Sequence, residues 1–337
     1  MSPVLIGSAG FVLLLVLLLL RIPVAFAMFT VGFVGIWILN GLQAATGLLA
    51  SETFALASNS ELIVVPLFIL MGNVASVTGM SRRLYEAAYA TIGQVRGGLA
   101  AATVIGCGGF AALSGSSVAS ALTMGRTALA EMDRFNYSPR LSTGVVAAGG
   151  TLGILIPPST GFVIYAILTE QSIGRLFMAG VLPGILLLTL FLLTVLLLCA
   201  LKPSLGPKGP ATTLSEKGRA FLGAIPILVV ILLTIGGIYT GVFSPTEAAG
   251  VGAALVIVIG AVCRTLDLRS FWQAARSSVV TTASVMLILM AAHLINPFIA
   301  LSRLPAEVSR MLVAFDLGTY GTLILILAIY LVLGCFL

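Results

Sequence analysis

Apolar residues in this chain do not alternate with polar ones. They run in long unbroken blocks separated by short charged connectors. Stretches without a single charged side chain cover 1–20, 22–51, 62–81, 97–125, 141–169, 176–201, 220–246, 248–263, 277–302 and 317–337. A helix needs about 20 mostly apolar residues to cross a bilayer, so the pattern predicts an all-α polytopic membrane protein with about ten membrane crossings. Residues 10–27 resemble a signal peptide, ending in Ala25-x-Ala27, but no basic region precedes them and Arg21 interrupts them. They read as a first transmembrane helix. The most polar connector, KPSLGPKGPATTLSEKGR (202–219), carries three prolines and reads as a linker between a first half, 1–201, and a second, 220–337. Ser244-Pro245-Thr246-Glu247 has the form of a capping box with proline at the first helical position. Ser138-Pro139 opens another helix, and 81–96 reads as an amphipathic helix.

Two of the charge-free stretches do not read as simple spans. Residues 97–125 hold seven glycines and the cluster Leu113-Ser114-Gly115-Ser116-Ser117. Arg82, Arg83 and Arg96 precede them, and Arg126, Arg134 and Arg140 follow. Basic connectors favour the cytoplasmic side, so both ends belong on one side, which a re-entrant hairpin allows and a single span does not. In 141–169, the run Gly149-Gly-Thr-Leu-Gly-Ile-Leu-Ile-Pro-Pro-Ser159 places adjacent prolines mid-span. Proline removes a backbone donor and clashes with the preceding turn, which predicts a broken helix buried in protein or lining a cavity. With these two assignments and an outside N-terminus, fourteen of the seventeen basic residues face the cytoplasm, leaving Arg175, Arg303 and Arg310 outside. An internal echo accompanies this count. Phe68–Met71 followed by Ser81-Arg-Arg-Leu84 is similar to Leu287–Met290 followed by Ser302-Arg-Leu304, and each leads to a Gly-Cys pair, Gly106-Cys107 and Gly334-Cys335. The count gives the copies opposite orientations, as in the inverted repeats of secondary transporters.

Composition narrows the function. Apolar residues make up 59% of the 337 and charged residues 8%, at a mean hydropathy of +1.18. Soluble domains carry about 25% charged residues, so a soluble globular protein is excluded. A net charge of +6, dispersed over the connectors, suits no nucleic-acid surface. Cys107, Cys199, Cys263 and Cys335 form no CxxC pair and read as small buried hydrophobes. His293 alone builds no metal site and reads as a structural or cavity-lining residue, with proton relay as the sharper alternative. Arg303 and Arg310 fit a second interfacial helix, and Trp272 an aromatic anchor. No Walker A, HExxH or GxSxG sequence is present, which leaves enzymatic chemistry and ATP-driven pumping without support. The hairpin tip and the Pro-Pro break do offer small hydroxyls and unpaired carbonyls, the ligands of a hard cation such as sodium. Close helix packing through small residues is the competing explanation. Free amides at the tip also suit an anionic substrate.

The segments PLFILMGNVASVTGMSRRL (66–84), ALSGSSVASA (112–121), GGTLGILIPPST (149–160) and SPTEAAGVGA (244–253) resemble the large membrane subunit of tripartite ATP-independent periplasmic (TRAP) transporters, the DctM-like family. The resemblance implies an elevator-type transporter with inverted repeats, importing a carboxylate such as a C4-dicarboxylate or another organic acid, driven by sodium. It implies as partners a small four-helix membrane subunit, a periplasmic substrate-binding protein and membrane lipid, in the bacterial inner membrane. No cofactor is expected beyond sodium as coupling ion. The first sodium site would use Ser114 and Ser117 with backbone carbonyls of Gly153, Ile156 and Pro158, while Gly115, Ser116, Thr151 and Pro157 lie near ion or substrate. The amphipathic 81–96 would be an arm between moving and static parts. The chain stops at Leu337, inside the expected second hairpin, so a second sodium site and much of the substrate pocket would lie beyond it. A one-component sodium/carboxylate symporter, or an inactive truncated remnant, is the alternative.

Overall fold

The structure, a computed structural model, describes residues 2–210, 212–314 and 318–334. Among them are fifteen α-helices and no β-strand. In chain order these are α1 (Pro3–Leu19), α2 (Val24–Asn40), α3 (Leu42–Ser58), α4 (Val64–Val77, led in by a 3-10 turn at Ser60–Ile63), α5 (Met80–Ile92), α6 (Gly98–Ser114), α7 (Ser117–Arg134) and α8 (Pro139–Leu155). They continue with α9 (Thr160–Leu168), α10 (Ile173–Leu201), α11 (Leu214–Tyr239), α12 (Pro245–Val262), α13 (Leu268–Leu301), α14 (Leu304–Ala314) and α15 (Gly318–Gly334). Five helical segments among the described residues are long and apolar enough to cross a membrane, or six if the bent pair α8 and α9 counts as one span. The chain is thus an all-α, multi-pass membrane protein. Helices α1, α2 and α6 are apolar but 17 residues long, about 26 Å, just short of a bilayer core of about 30 Å.

Several boundaries differ from the sequence reading, each for a local reason. The stretch 22–51 is not one segment, because Gly41 at φ +90° divides it into α2 and α3. The signal-like 10–27 is likewise divided, with Arg21 in a left-handed turn after α1. The polar stretch 202–219 ends early. Thr213 and Glu216 form a capping box, Glu216 taking the Thr213 amide at 2.7 Å, so 214–219 are the first turns of α11. The Ser244 box is present in full, with the Ser244 amide donating to Glu247 at 2.8 Å.

The helices form two compact units, residues 1–59 with 283–337 and residues 60–282. This division differs from the expected halves 1–201 and 220–337, because α11 packs on α5 and α12 on α4. In the first unit, Val31, Ile36, Ala45, Ile295 and Phe298 form the core. Gly35 is overlain by the Phe298 ring, and a Cβ on Gly32 would lie 2.9 Å from the Ile295 nitrogen. Small residues here let α2 approach the backbone of α13, the usual packing device of membrane helices.

The second unit is built around α6, nearly all of which is buried. A helix apolar on every side belongs in an interior, and α4, α5, α7, α8 and α10 surround it. Helix α5 is amphipathic. Met80, Leu84, Tyr85 and Ala88 are buried, while Arg82 and Glu86 pair on the outside at 2.9 Å. Glycines in left-handed conformation open α5 (Gly79) and α6 (Gly97), and left-handed residues likewise open α14 (Arg303) and α15 (Gly318). The order of span, amphipathic helix and apolar helix, with left-handed breaks between, therefore occurs twice.

The linker is not a free tether. The Gly97 amide donates to Gly206 O at 3.0 Å, the Gly209 amide to Gly93 O at 3.0 Å, and the Ser138 amide to Leu205 O at 2.9 Å. The Tyr137 hydroxyl donates to Pro207 O at 2.8 Å and accepts from the Leu99 amide at 3.3 Å. Burial pushes the Tyr137 phenol up to about 12, so it stays a donor throughout the physiological range. Thr212 donates to Ala90 O and receives Gln94 Nε2 at 2.7 Å.

Candidate functional site: a hairpin tip against a broken helix

Helices α6 and α7 form a hairpin whose turn is Gly115-Ser116. Its second limb runs to Arg134, beyond the expected end at 125. Gly115 ends α6 at φ +57°, a conformation that costs a residue with a side chain. Ser116 then caps α7, its Oγ accepting from the Ala119 amide. Across from the tip, α8 stops at Leu155 and α9 starts at Thr160, with a bend of about 40°. Pro157 and Pro158 carry no amide hydrogen, so the carbonyls of Gly153 and Ile154 lose the donors that would continue the helix. Ser159 restarts it, its Oγ accepting from the Phe162 amide at 3.5 Å.

The tip and the break are in direct contact. A Cβ on Gly153 would lie 2.6 Å from Ser116 O and 2.8 Å from the Ser117 nitrogen. One on Gly115 would lie 2.6 Å from Pro158 O. Thr160 binds the Gly115 carbonyl twice, through its amide at 3.1 Å and its hydroxyl at 2.9 Å. The C-terminal ends of α6 and α8 and the N-terminal ends of α7 and α9 therefore meet in one place. Helix C-termini carry partial negative charge and N-termini partial positive charge, so the junction offers carbonyls to a cation and amides to an anion.

Of the nine residues singled out from sequence, the structure brings Gly115, Ser116, Ser117, Gly153 and Pro158 together. Ser114 is adjacent, its hydroxyl 3.0 Å from that of Ser120 and 3.5 Å from Ser116 O. Pro157 is buried within the break. Ile156 gives its side chain to Gly184 and Gly108, on α10 and α6, and its amide to Leu152 O. Thr151 is not brought in. It is exposed and its hydroxyl returns to Ala148 O on its own helix. Sequence reasoning missed Ser120, fully buried beside Ser114, and Thr160, which ties the two breaks together. Ser120 stands six residues after Ser114, a spacing with meaning only once the hairpin folds back. Thr160 follows Pro-Pro-Ser directly and was legible as a helix start.

Among the described residues no group of three or more His, Cys, Asp and Glu could hold a metal ion. The junction's oxygens are neutral hydroxyls and carbonyls, a donor set for a hard cation. His293 lies elsewhere, in the first unit, with Nδ1 3.0 Å from Glu52 Oε2 and both side chains about one quarter exposed. Arg310 pairs with Glu307 on α14, and Arg303 precedes that helix. Cys335 and its Gly-Cys echo lie outside the described residues.

Residues 11–337 match the family model of the tripartite ATP-independent periplasmic transporter, DctM component. A C4-dicarboxylate TRAP transporter large permease protein of Pseudomonas aeruginosa is 37% identical over 289 residues, covering 86% of this chain and 67% of that protein. An ectoine/5-hydroxyectoine TRAP transporter large permease protein of Ruegeria pomeroyi is 30% identical over 96% of the chain and 76% of its own length. A sialic acid TRAP transporter permease protein of Haemophilus influenzae is 30% identical over 96% of the chain and 52% of its own length. The chain thus spans about half to three quarters of the length of these curated relatives. With an all-helical fold, a hairpin whose first limb is buried and a proline-broken helix meeting at its tip, the chain belongs to the DctM component family of TRAP transporters, which are membrane permeases and not enzymes.

Proposed function

We propose that the chain serves as the large permease in uptake of a carboxylate across the bacterial inner membrane, with sodium as the coupling ion at the hairpin–break junction. A small four-helix membrane subunit and a periplasmic binding protein that delivers the substrate complete this reading. The relatives' names cover C4-dicarboxylate, ectoine, isethionate and sialic acid, and an organic acid fits the amide-bearing ends of α7 and α9. The observation that carries the sodium assignment is the contact of Gly153 and Pro158 with the Gly115–Ser117 turn, which gathers hydroxyls and donor-deprived carbonyls without a carboxylate. Such a set replaces the water around a hard monovalent cation. The repeated order of span, amphipathic helix and apolar helix supports inverted repeats and an elevator movement, with α5 as the arm.

The test is sodium-dependent stabilisation of the purified full chain, since a ligand bound to the folded state raises its stability by mass action. The midpoint of thermal unfolding is expected to be higher in NaCl than in an equal concentration of KCl. Ser114→Ala and Ser117→Ala are expected to reduce that difference and to weaken sodium activation of succinate uptake in the assembled transporter. An undiminished sodium effect in both variants at normal expression overturns the assignment.

A further inference from the structure

Along α7, Ser120, Met124, Ala128 and Met132 recur at i, i+4 spacing and are all fully buried, so they form one stripe on the helix. A Cβ on Gly106 would lie 3.1 Å from Met124 Sδ, which sets that stripe against α6. Three of its four members are apolar. The fourth, at the end nearest the hairpin tip, is a hydroxyl. Taking a hydroxyl out of water costs free energy unless it is hydrogen-bonded, and alanine fills such a position without that cost. What distinguishes serine here is therefore its partner. Ser120 Oγ lies 3.0 Å from the Oγ of Ser114, the last residue of α6, and makes no other hydrogen bond among the described residues.

The inventory of protons gives this bond a direction. A serine hydroxyl has one proton to donate and two lone pairs, and buried donors are paired. Ser120 finds no acceptor but Ser114 Oγ, so it donates there. Ser114 in turn donates to Ser116 O at 3.5 Å. That carbonyl also accepts the Ser120 amide at 3.0 Å. The three serines thus close a ring of hydrogen bonds on the tip, and Ser114 Oγ is left with one unused lone pair. Ser114 cannot swing away as a whole either. A Cβ on Gly72 would lie 2.6 Å from Ser114 Cα, so α4 backs directly onto it.

We propose that Ser120 is a positioning residue for the sodium site: by donating to Ser114 it fixes the hydroxyl rotor, so that the remaining lone pair is oriented before the cation arrives. The inference rests on the sodium reading of the junction and adds a residue that acts only through Ser114. A ligand already held in its binding orientation loses little freedom on binding, and outer partners that orient a ligand raise affinity for the ion. In Ser120→Ala the Ser114 hydroxyl is held by the bond to Ser116 O alone, which is at the long limit for a hydrogen bond.

Thermal unfolding of the purified full chain over a series of NaCl concentrations, with KCl holding the ionic strength constant, tests this. The sodium Kd is read from the rise of the midpoint with concentration, and the midpoint in KCl alone reports ion-independent stability. Ser120→Ala is expected to raise the Kd about three- to tenfold, the worth of one ordinary hydrogen bond. Ser120→Cys, which keeps the position filled but is a weak donor, is expected to do the same. Ser114→Ala/Ser120→Ala is expected to bind sodium no more weakly than Ser114→Ala, because residues acting through one another do not add. Met124→Leu, the next residue of the stripe, is expected to leave the Kd unchanged. If the Ser120 variants lower the KCl midpoint while the Kd stays at the wild-type value, Ser120 is a structural staple and the proposal is overturned. A double variant weaker than Ser114→Ala overturns it as well, since Ser120 then acts independently. A wild-type chain with no sodium response overturns the sodium reading itself, a result distinct from either of these.

Discussion

Gly153 of α8 and Ser116 of the hairpin turn approach so closely that a Cβ on Gly153 would rest 2.6 Å from the Ser116 carbonyl oxygen. The contact is backbone on backbone, so no flexible side chain can yield. Gly153→Ala is expected to push the broken helix off the tip at a cost of about 1–3 kcal/mol, as overpacking does. Gly115→Ala is expected to cost at least as much, since it adds a clash with Pro158 O to a left-handed φ. Denaturant unfolding compares both with Gly144→Ala, where a Cβ meets nothing within 4 Å and little change is expected.

Tyr137→Phe removes one oxygen that serves two partners. The Leu99 amide, in the first turn of α6, and the Pro207 carbonyl both lose a hydrogen bond. The expected destabilisation is about 1–3 kcal/mol, the range for buried polar groups left unpaired. Faster amide hydrogen exchange at Leu99 and through 205–209 is expected to accompany it.

Removing the Ser244 hydroxyl by Ser244→Ala is expected to cost about 1 kcal/mol, the typical value for a helix N-cap. Glu247→Gln is expected to retain most of the box, because glutamine reaches back to the same amide. Thermal unfolding of the two variants side by side separates the cap from the charge.

Asp267 accepts from the Ser270 side chain and amide, the amide bond being 2.9 Å long, and these bonds hold its carboxyl below the ordinary aspartate value. A carboxyl with a depressed folded pKa contributes stability that is present above its unfolded pKa, near about 4, and lost as pH falls through the folded value. Acid titration of thermal stability is expected to show a small loss below about pH 4, and Asp267→Asn is expected to flatten that part of the curve.

Much of this architecture is legible in the chain because the signals are local. The capping box at Ser244, the Ser-Gly turn of the hairpin and the Pro157-Pro158 break each lie within a few consecutive residues. The Thr213–Glu216 box is equally local, and the prolines just before it drew the whole of 202–219 into the linker. What stayed hidden depends on chain segments far apart in sequence. Nothing near Ser120 marks it as the partner of Ser114, and nothing near Thr160 announces its bonds to Gly115. Gly41 is a single residue in an otherwise apolar run, so hydropathy passes over the corner it makes. The packing of α11 and α12 onto α5 and α4, which unites 60–282, follows from shapes that no window of sequence displays.

The stitched linker has a consequence for proteolysis. Lys208 is exposed in a stretch rich in glycine and proline and is followed by Gly209, the profile of a trypsin site, whereas Lys202 is shielded by the proline that follows it. A protease must draw several consecutive residues into its cleft as an extended strand, and here the backbone is already committed. Gly206 and Gly209 bond to Gly97 and Gly93, and Lys208 bridges to Arg96. Cutting after Lys208 therefore requires this seam to unzip first, so its rate measures how often α5 and α6 release the segment that runs between α10 and α11.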